Sequence, residues 1–247
     1  MKSTHIIISC VLFLTACGGQ DTVNRNTDIK QLNISFNDTP EGWKADFSDY
    51  TENDADYEFS SGQVELPEPL NSPVLLSYPP IVPKGFKLSS NNHSDDVFMF
   101  ITKYYDGLEP NRLYEFDFEL TFATNAQRNC VGIGGAPGEG VTIKIGATKL
   151  EPKSINNGNN TYSMNIDKGD QTLGGADALA LGNFANDREC GNADTHYMKK
   201  TLSSNHSPFS AYTDNLGGIW LFLGTDSGFE GTSTIYFMNA KVWATKR

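Results

Sequence analysis

The sequence has few of the residues on which common catalytic and metal sites depend. Its 247 residues include only four cysteines and four histidines, and the histidines are too scattered to form a zinc site. It contains no G-x-S-x-G nucleophile elbow. The glycines between 132 and 140 lack the Lys-Ser/Thr pair and the following helix that a nucleotide-binding loop requires. No sequence motif therefore supports zinc, serine-hydrolase or nucleotide chemistry.

Positive charge is also scarce. Nineteen Lys and Arg face thirty Asp and Glu, which leaves a formal net charge of -11. An acidic chain repels phosphate backbones, so we expect no nucleic-acid partner. Carboxylates are the ligands that calcium prefers, and structural calcium stays open as an alternative to solvated acidic loops. The acidic groups considered for it are Asp46, Asp49, Glu52, Asp54 and Asp56, then Asp167 and Asp170, then Asp187, Glu189 and Asp194.

Hydrophobic runs long enough to cross a membrane are missing, and the apolar run at residues 6–14 is too short for a spanning helix. With Lys2 before it, this run has the layout of a signal peptide. The following Leu14-Thr15-Ala16-Cys17 resembles the lipobox of bacterial lipoproteins. The resemblance implies cleavage before Cys17, lipid on its thiol and attachment to a membrane through that lipid. An ordinary secretory signal with a free Cys17 is the alternative.

The same resemblance predicts the location of the protein, and composition along the chain predicts its segments. Gly18 after the cysteine resembles the sorting pattern of outer-membrane lipoproteins, so we expect the cell envelope, and the outer membrane if the host is diderm. We predict a signal peptide over 1–16, a polar flexible tether over 17–41 and one β domain over 42–247.

Cysteine counting predicts one disulfide. Cys10 leaves with the signal and Cys17 carries lipid, so Cys130 and Cys190 remain in an oxidising compartment. We predict that these two residues are bridged. The rival interpretation, a two-cysteine metal site, needs more nearby histidine than the sequence offers.

Sustained helical periodicity is absent, and short strand-like runs alternate with clusters of Gly, Asn, Asp, Ser and Pro. The clearest strand is 114–122, where aromatic and leucine side chains alternate strictly with polar ones. Residues 219–223 are apolar on both faces, which predicts a central strand. Residues 176–185 are equally readable as a short helix or a strand. Many short strands separated by turns indicate an all-β sandwich or barrel.

Three segments resemble galactose-binding-like jelly-roll domains, which are common among carbohydrate-binding modules. Residues 88–96 lead into a strand at Val97, residues 107–111 lead into the strand at Tyr114, and residues 234–242 resemble the closing strand. The resemblance implies a jelly-roll β-sandwich and a carbohydrate partner. The middle of the chain, which carries both cysteines, departs from the family pattern.

Two features could contact a sugar. The polar cluster Asn92, His93, Ser94, Asp95 and Asp96 offers planar hydrogen-bonding groups for hydroxyls, although a turn whose side chains satisfy backbone groups is the favoured interpretation. Aromatic platforms for sugar rings are the other feature, and the sequence does not locate them. The candidates are Trp43, Trp220 and Trp243.

The strip Glu115, Asp117 and Glu119 resembles the E-x-D-x-E motif of laminarinase- and lichenase-type β-glucanases. The resemblance implies that Glu115 is the nucleophile and Glu119 the general acid, on one face of a strand. The tryptophan-rich segment that normally precedes this motif is absent here. A solvent-facing strip produced by ordinary strand alternation is the alternative.

Together these observations predict a lipid-anchored protein of the cell envelope with a single non-catalytic β-sandwich domain that binds carbohydrate. Two alternatives stay open. One is a retaining glycan hydrolase that uses the acidic strip. The other is a structural or assembly protein of the envelope that binds other proteins.

Overall fold

The computed structural model describes residues 29–38, 42–52, 56–74, 78–94, 96–204, 207 and 209–247. Within these ranges the chain forms strands and no helix, and none of it forms a helix long and apolar enough to span a membrane. The strands are β1 (Ile29–Ser35), β2 (Lys44–Ser48), β3 (Tyr50–Thr51), β4 (Ser60–Glu65), β5 (Lys84–Asn91), β6 (Val97–Tyr105), β7 (Leu113–Thr124), β8 (Val141–Thr148), β9 (Ser154–Asn156), β10 (Thr161–Met164), β11 (Ala178–Asn183), β12 (Met198–Ser203), β13 (Phe209–Tyr212), β14 (Ile219–Ser227) and β15 (Thr232–Lys246).

The strands form a β-sandwich of the jelly-roll type, as the sequence predicts. Sheet A has the order β12-β7-β15-β5-β4, with β13 added beside β7 and β1 added beside β15. Sheet B has the order β11-β8-β14-β6-β2. A third sheet, β3-β10-β9, is called the cover sheet below. The predicted all-β fold class is confirmed.

Sheet A is buried on one face only. In β7 the side chains of Tyr114, Phe116, Phe118, Leu120 and Phe122 are buried in the core between the sheets, while the polar residues between them are half-buried on the outer face. The predicted strand over 114–122 is therefore confirmed. Strict alternation is the pattern of a strand with one face on a core and the other facing solvent.

Sheet B is buried on both faces. All eight residues of β8 are buried. On the outer face, Met164 and Ile166 pack against Phe98, Phe100 and Phe222, so the cover sheet and the loop after it shield this side. Strands covered on both sides read as continuous apolar runs. This explains why 219–223 lacks alternation, and the prediction of a central strand there is confirmed by β14.

A β-bulge in β15 changes which side chains face outwards. Phe237 pairs with Phe122, but Asn239 pairs with the adjacent Thr121, so Met238 is an extra residue on β15. Before the bulge the odd-numbered residues are buried, and after it the even-numbered residues Ala240, Val242 and Ala244 are buried. Trp243 consequently lies on the outer face of sheet A.

The predicted boundary at residue 42 is wrong. Strand β1 lies inside the predicted tether and pairs with β15 from Ile29↔Thr245 to Ser35↔Asn239. Ile34 and the following Phe36 are buried in the core. The sequence of β1 is mostly polar because the strand has one solvent-facing side and few apolar residues. The ambiguous segment 176–185 contains a strand, β11.

Residues 1–28 lie outside the described part of the chain. The predicted signal peptide, with Cys10, and the predicted lipid attachment at Cys17 fall on these residues and stay predictions.

The predicted disulfide is confirmed. The sulfur atoms of Cys130 and Cys190 are 2.04 Å apart, and the bridge joins the loop after β7 to the loop after β11. Beside it, Arg128 forms an ion pair of 2.6 Å with Glu189. The bridge closes a loop with a sequence separation of 60 residues.

Replacing both cysteines, Cys130→Ala with Cys190→Ala, should lower the free energy of unfolding by up to about 4 kcal/mol, because closing a loop of this length restricts the unfolded chain. Urea unfolding of the oxidised wild type and the double variant measures the difference. Reduction of the wild type should reproduce the loss. A change below about 1 kcal/mol in both comparisons would show that the bridge contributes little to stability.

Candidate functional site

The predicted acidic strip lies on the outer face of sheet A. Glu115, Asp117 and Glu119 alternate along β7 with buried phenylalanines. Because β7 runs through the middle of the sheet, its outer side chains face neighbours from strands on both sides. The three carboxylates therefore share one surface, as their spacing predicts.

Trp243 lies directly across the strand pair from Asp117. The two residues are register partners in the β7–β15 ladder, and Gln31 of β1 is the partner of Trp243 on its other side. The bulge at Met238 makes this arrangement possible, since without it residue 243 would face the core. Trp243 is only partly buried, so part of its side chain is accessible to solvent.

An open groove with a volume of about 460 Å³ runs over this surface. Its lining comes from four neighbouring strands, β12, β7, β15 and β1, and from the residue after β12. The lining residues are Ile29, Asp117, Phe118, Glu119, Ser203, Ser204, Trp243 and Thr245.

Polar contacts hold the carboxylates of the strip in place. Lys241 Nζ lies 2.8 Å from Glu119 Oε1, and Arg247 Nη2 lies 2.5 Å from Glu115 Oε2. Ser204 Oγ donates a hydrogen bond of 3.2 Å to Asp117 Oδ1. The site thus combines an aromatic ring with carboxylate and hydroxyl groups of fixed orientation.

This geometry does not favour a glucanase. Glu115 and Glu119 stand four residues apart on one continuous strand, which separates their backbones by roughly 13 Å. Each carboxylate pairs with a different cation, Glu119 with Lys241 of β15 and Glu115 with Arg247 just after β15. A retaining glycosidase needs its two carboxyl groups about 5–5.5 Å apart.

The other two tryptophans lie elsewhere. Trp43 packs with Phe36 and Tyr105, at ring-centroid distances of 5.3 and 6.3 Å, beside the main core. Trp220 belongs to sheet B and contacts the ring of Tyr104 at 5.3 Å. Trp243 is the tryptophan that lines the groove.

In the predicted polar cluster, the side chain of Asn92 bonds to backbone groups in the way expected of a turn. The Asn92 side chain is buried; its Nδ2 donates to the carbonyls of Ser227 and Phe229 at 2.7 and 2.9 Å, and its Oδ1 accepts from the Ser94 amide. His93 is exposed, with its ring edge on Tyr57. Asp95 lies outside the described residues. These contacts favour the turn interpretation, and a ligand-binding role for the cluster stays a prediction.

Asp96, the last residue of that cluster, has a different environment. Its carboxyl group belongs to a buried set of charges with Asp49, Lys144, Lys168 and Asp226, between sheet B and the loop that covers it. The residue is half-buried, and its Oδ1 atom is buried without a hydrogen-bond partner.

The acidic segments considered for calcium make other contacts. Asp167 accepts hydrogen bonds from the amides of Gly169 and Ala176. Asp194 pairs with Arg188, and Glu189 pairs with Arg128 beside the disulfide. Asp54 lies outside the described residues, and within the described ranges no group of three or more His, Cys, Asp and Glu could hold a metal ion.

Only some of the residues that line the groove could be identified from the sequence. Strand alternation identified Asp117 and Glu119, but not the hydroxyls of Ser203 and Ser204 or the apolar Ile29. These residues come from strands that lie beside β7 and β15 only after folding. The tryptophan was named among three candidates, and no sequence signal distinguished it from the other two.

Substituting Asn92→Ala should lower the free energy of unfolding by about 2–3 kcal/mol, because a buried side chain is removed together with its three hydrogen bonds to the carbonyls of Ser227 and Phe229 and to the amide of Ser94. Chemical denaturation measures this change, and the exposed His93→Ala serves as the control with little expected effect. Unchanged stability in Asn92→Ala would contradict the structural role of this side chain.

No family model matches the chain, and no curated protein matches it. Solved structures give distant likenesses. The enzymatically active domain of tailspike protein 4 from bacteriophage CBA120 is 10% identical with a TM-score of 0.34, over 81% of this chain and 19% of that one, so the chain spans about a fifth of its length. TmCBM61, solved with β-1,4-galactotriose, is 7% identical with a TM-score of 0.34, over 82% and 88% of the two chains. The CBM22-1 xylan-binding domain of Paenibacillus barcinonensis Xyn10C is 10% identical with a TM-score of 0.38, over 90% and 97%. Likeness at this level assigns no activity to the chain.

Proposed function

We propose that this protein is a non-catalytic carbohydrate-binding protein and that its ligand lies in the groove on the outer face of sheet A. The observation that carries the proposal is the position of Trp243, which is partly accessible and lies directly opposite Asp117 in the same groove. An aromatic ring beside oriented polar groups is the combination that a sugar ring requires.

The two parts of the groove match the two parts of a sugar. A pyranose has an apolar C–H face, which the indole of Trp243 can cover and shield from water. Its hydroxyl groups are donors and acceptors, which carboxylate oxygens and serine hydroxyls can bind. A concave site lined by apolar surface and a small number of fixed polar groups is typical of a ligand pocket.

The groove is long enough for a chain of sugars. Its lining spans β12, β7, β15 and β1, and four strands at about 4.8 Å spacing extend over roughly 14 Å. This length exceeds one sugar ring, so the proposed ligand is a segment of a polysaccharide.

Asp117 and Glu119, the two carboxylates of the strip that line the groove, then have a binding role and no catalytic one, and Glu115 lies beside the groove lining on the same strand face. Ion pairs with Lys241 and Arg247 fix Glu119 and Glu115 in separate positions on the sheet. Such fixed groups are suited to holding hydroxyls, since their rotamers are already restricted before the ligand arrives.

We propose further that the protein is attached to a membrane of the cell envelope by lipid on Cys17. The support is the lipobox-like Leu14-Thr15-Ala16-Cys17 after a short apolar run. A single short acyl chain binds membranes only marginally, so stable attachment requires more than one chain on the N-terminal cysteine.

Substituting Trp243→Ala should weaken glycan binding by roughly tenfold or more, because burial of an aromatic side chain contributes about 1.5–3 kcal/mol. The measurement is affinity electrophoresis of the full-length chain in gels with mixed-linkage β-glucan, xylan, galactan or starch. Trp220→Ala on sheet B is the matched control and should bind as the wild type does. Loss of binding in Trp220→Ala, with Trp243→Ala unaffected, would move the site to the other sheet.

The same polysaccharides, incubated with the protein, should release no reducing ends. Release that disappears in Glu115→Gln would contradict the non-catalytic proposal and establish the hydrolase alternative. Absence of both binding and release for every polysaccharide would contradict a glycan ligand.

Mass spectrometry of the protein from its native membrane should find acyl chains on an N-terminal peptide that begins at Cys17. The Cys17→Ser variant should lose both the added mass and the membrane association. An unmodified thiol at Cys17 in the membrane-derived protein would contradict the anchor.

A further inference from the structure

Five charged side chains meet beneath the loop that covers sheet B. Lys144 of β8 and Asp226 of β14 have fully inaccessible side chains and form an ion pair of 2.6 Å. Lys168 belongs to the loop between β10 and β11 (residues 165–177), which is the covering loop. Asp49 lies in the turn between β2 and β3, and Asp96 directly precedes β6. The set therefore joins elements that are distant along the chain.

The two lysines connect the covering loop to the sheet. Lys168 Nζ lies 2.8 Å from Asp226 Oδ2 and 3.2 Å from Asp49 Oδ2. Lys144 Nζ also donates to the carbonyls of Lys168 and Leu173, at 2.9 and 3.0 Å. Separation of the loop from sheet B would break the contacts of Lys168 with Asp226 and of Lys144 with the carbonyls of Lys168 and Leu173.

Charge in this set does not balance if every carboxyl group is ionised, because three aspartates face two lysines. Both lysines bind Oδ2 of Asp226, while Oδ1 of Asp226 and Oδ1 of Asp96 are buried without a hydrogen-bond donor. Phe98 is the register partner of Asp226 in the β6–β14 ladder, so Asp96, two residues before Phe98, lies diagonally beside Asp226. A buried carboxylate oxygen without a donor is costly.

One proton removes both the excess negative charge and the lack of a hydrogen-bond donor for these two oxygens. Placed on Asp96 and directed to Asp226, it supplies the missing hydrogen bond between the two carboxyl groups and leaves two charges of each sign. We propose that Asp96 and Asp226 share a proton in the folded protein and that loss of this proton at raised pH loosens the covering loop from sheet B.

The surroundings of Asp96 place the loss of the shared proton near neutral pH. Burial raises the pKa of Asp96 to about 7, the charges of Asp226 and Asp49 act in the same direction, and Lys168 opposes them. Lys144, the remaining charge of the set, contacts Asp226. In the unfolded chain the pKa of an aspartate is about 3.9.

The sign of the effect follows from these two pKa values. The folded protein binds the proton more tightly, so the stabilisation is complete below about pH 4 and is lost as the pH rises through about 7. Stability should therefore fall between pH 5.5 and pH 8.5.

Asp96→Asn tests the proposal, because the asparagine amide can donate to Asp226 at every pH. In the full-length wild type, the unfolding equilibrium constant should rise roughly tenfold or more, relative to the variant, between pH 5.5 and pH 8.5. Asp106→Asn, at an exposed position, is the matched control and should keep the pH dependence of the wild type.

Hydrogen exchange gives a local readout. Protection of the amides of Leu173, Gly175 and Asp177, which bond within the covering loop or to its neighbours, should fall at pH 8.5 in the wild type and persist in Asp96→Asn. Amides of β7 should change less in both proteins.

Identical pH dependence of stability in the wild type and Asp96→Asn would overturn the proposal. If Asp96→Asn does not fold, carboxyl-carbon NMR of the wild type decides the question. An aspartate that titrates near pH 7 supports the shared proton, and titration of every aspartate below about pH 5 overturns it.

Discussion

The extra residue at Met238 determines what the outer face of sheet A presents to solvent. Side chains alternate along a strand, so one inserted residue exchanges the inward and outward positions of everything that follows. The carbonyl of Met238 accepts the amide of Phe36 at 3.0 Å, which ties the bulge to the chain just after β1. Beyond this point Trp243 is placed opposite Asp117, and the groove acquires its aromatic surface.

The outer faces of the two sheets are buried to different extents. Sheet B lies between the main core and the cover sheet, so its outer face holds Phe98, Phe100 and Phe222 and the buried lysine–aspartate set. On sheet A the outer-face residues of the strip on β7, Glu115, Asp117 and Glu119, are half-buried. A site on sheet A can vary in sequence without disturbing the packing that holds the sandwich together.

Local patterns predicted much of the fold because they report directly on burial. Strict alternation in β7 and the continuous apolar run in β14 reflect one covered face and two covered faces. The disulfide could be predicted because only two of the four cysteines lie outside the predicted signal peptide and lipidation site. The boundary at residue 42 was wrong because β1 has little apolar content of its own and is held mainly by backbone pairing to β15.

The sequence by itself determined the all-β class, the acidic strip on one strand face and the cysteine pair, since each depends on residue type and spacing along the chain. Only the tertiary structure decided that Trp243, rather than Trp43 or Trp220, lines the groove, that Ser204 reaches Asp117, and that the β6–β14 register places Asp96 beside Asp226. These contacts join residues far apart in sequence, and they depend on strand register, on a bulge and on the layer that covers sheet B. A local pattern contains none of this information, because register and covering are settled only when the strands pair and pack.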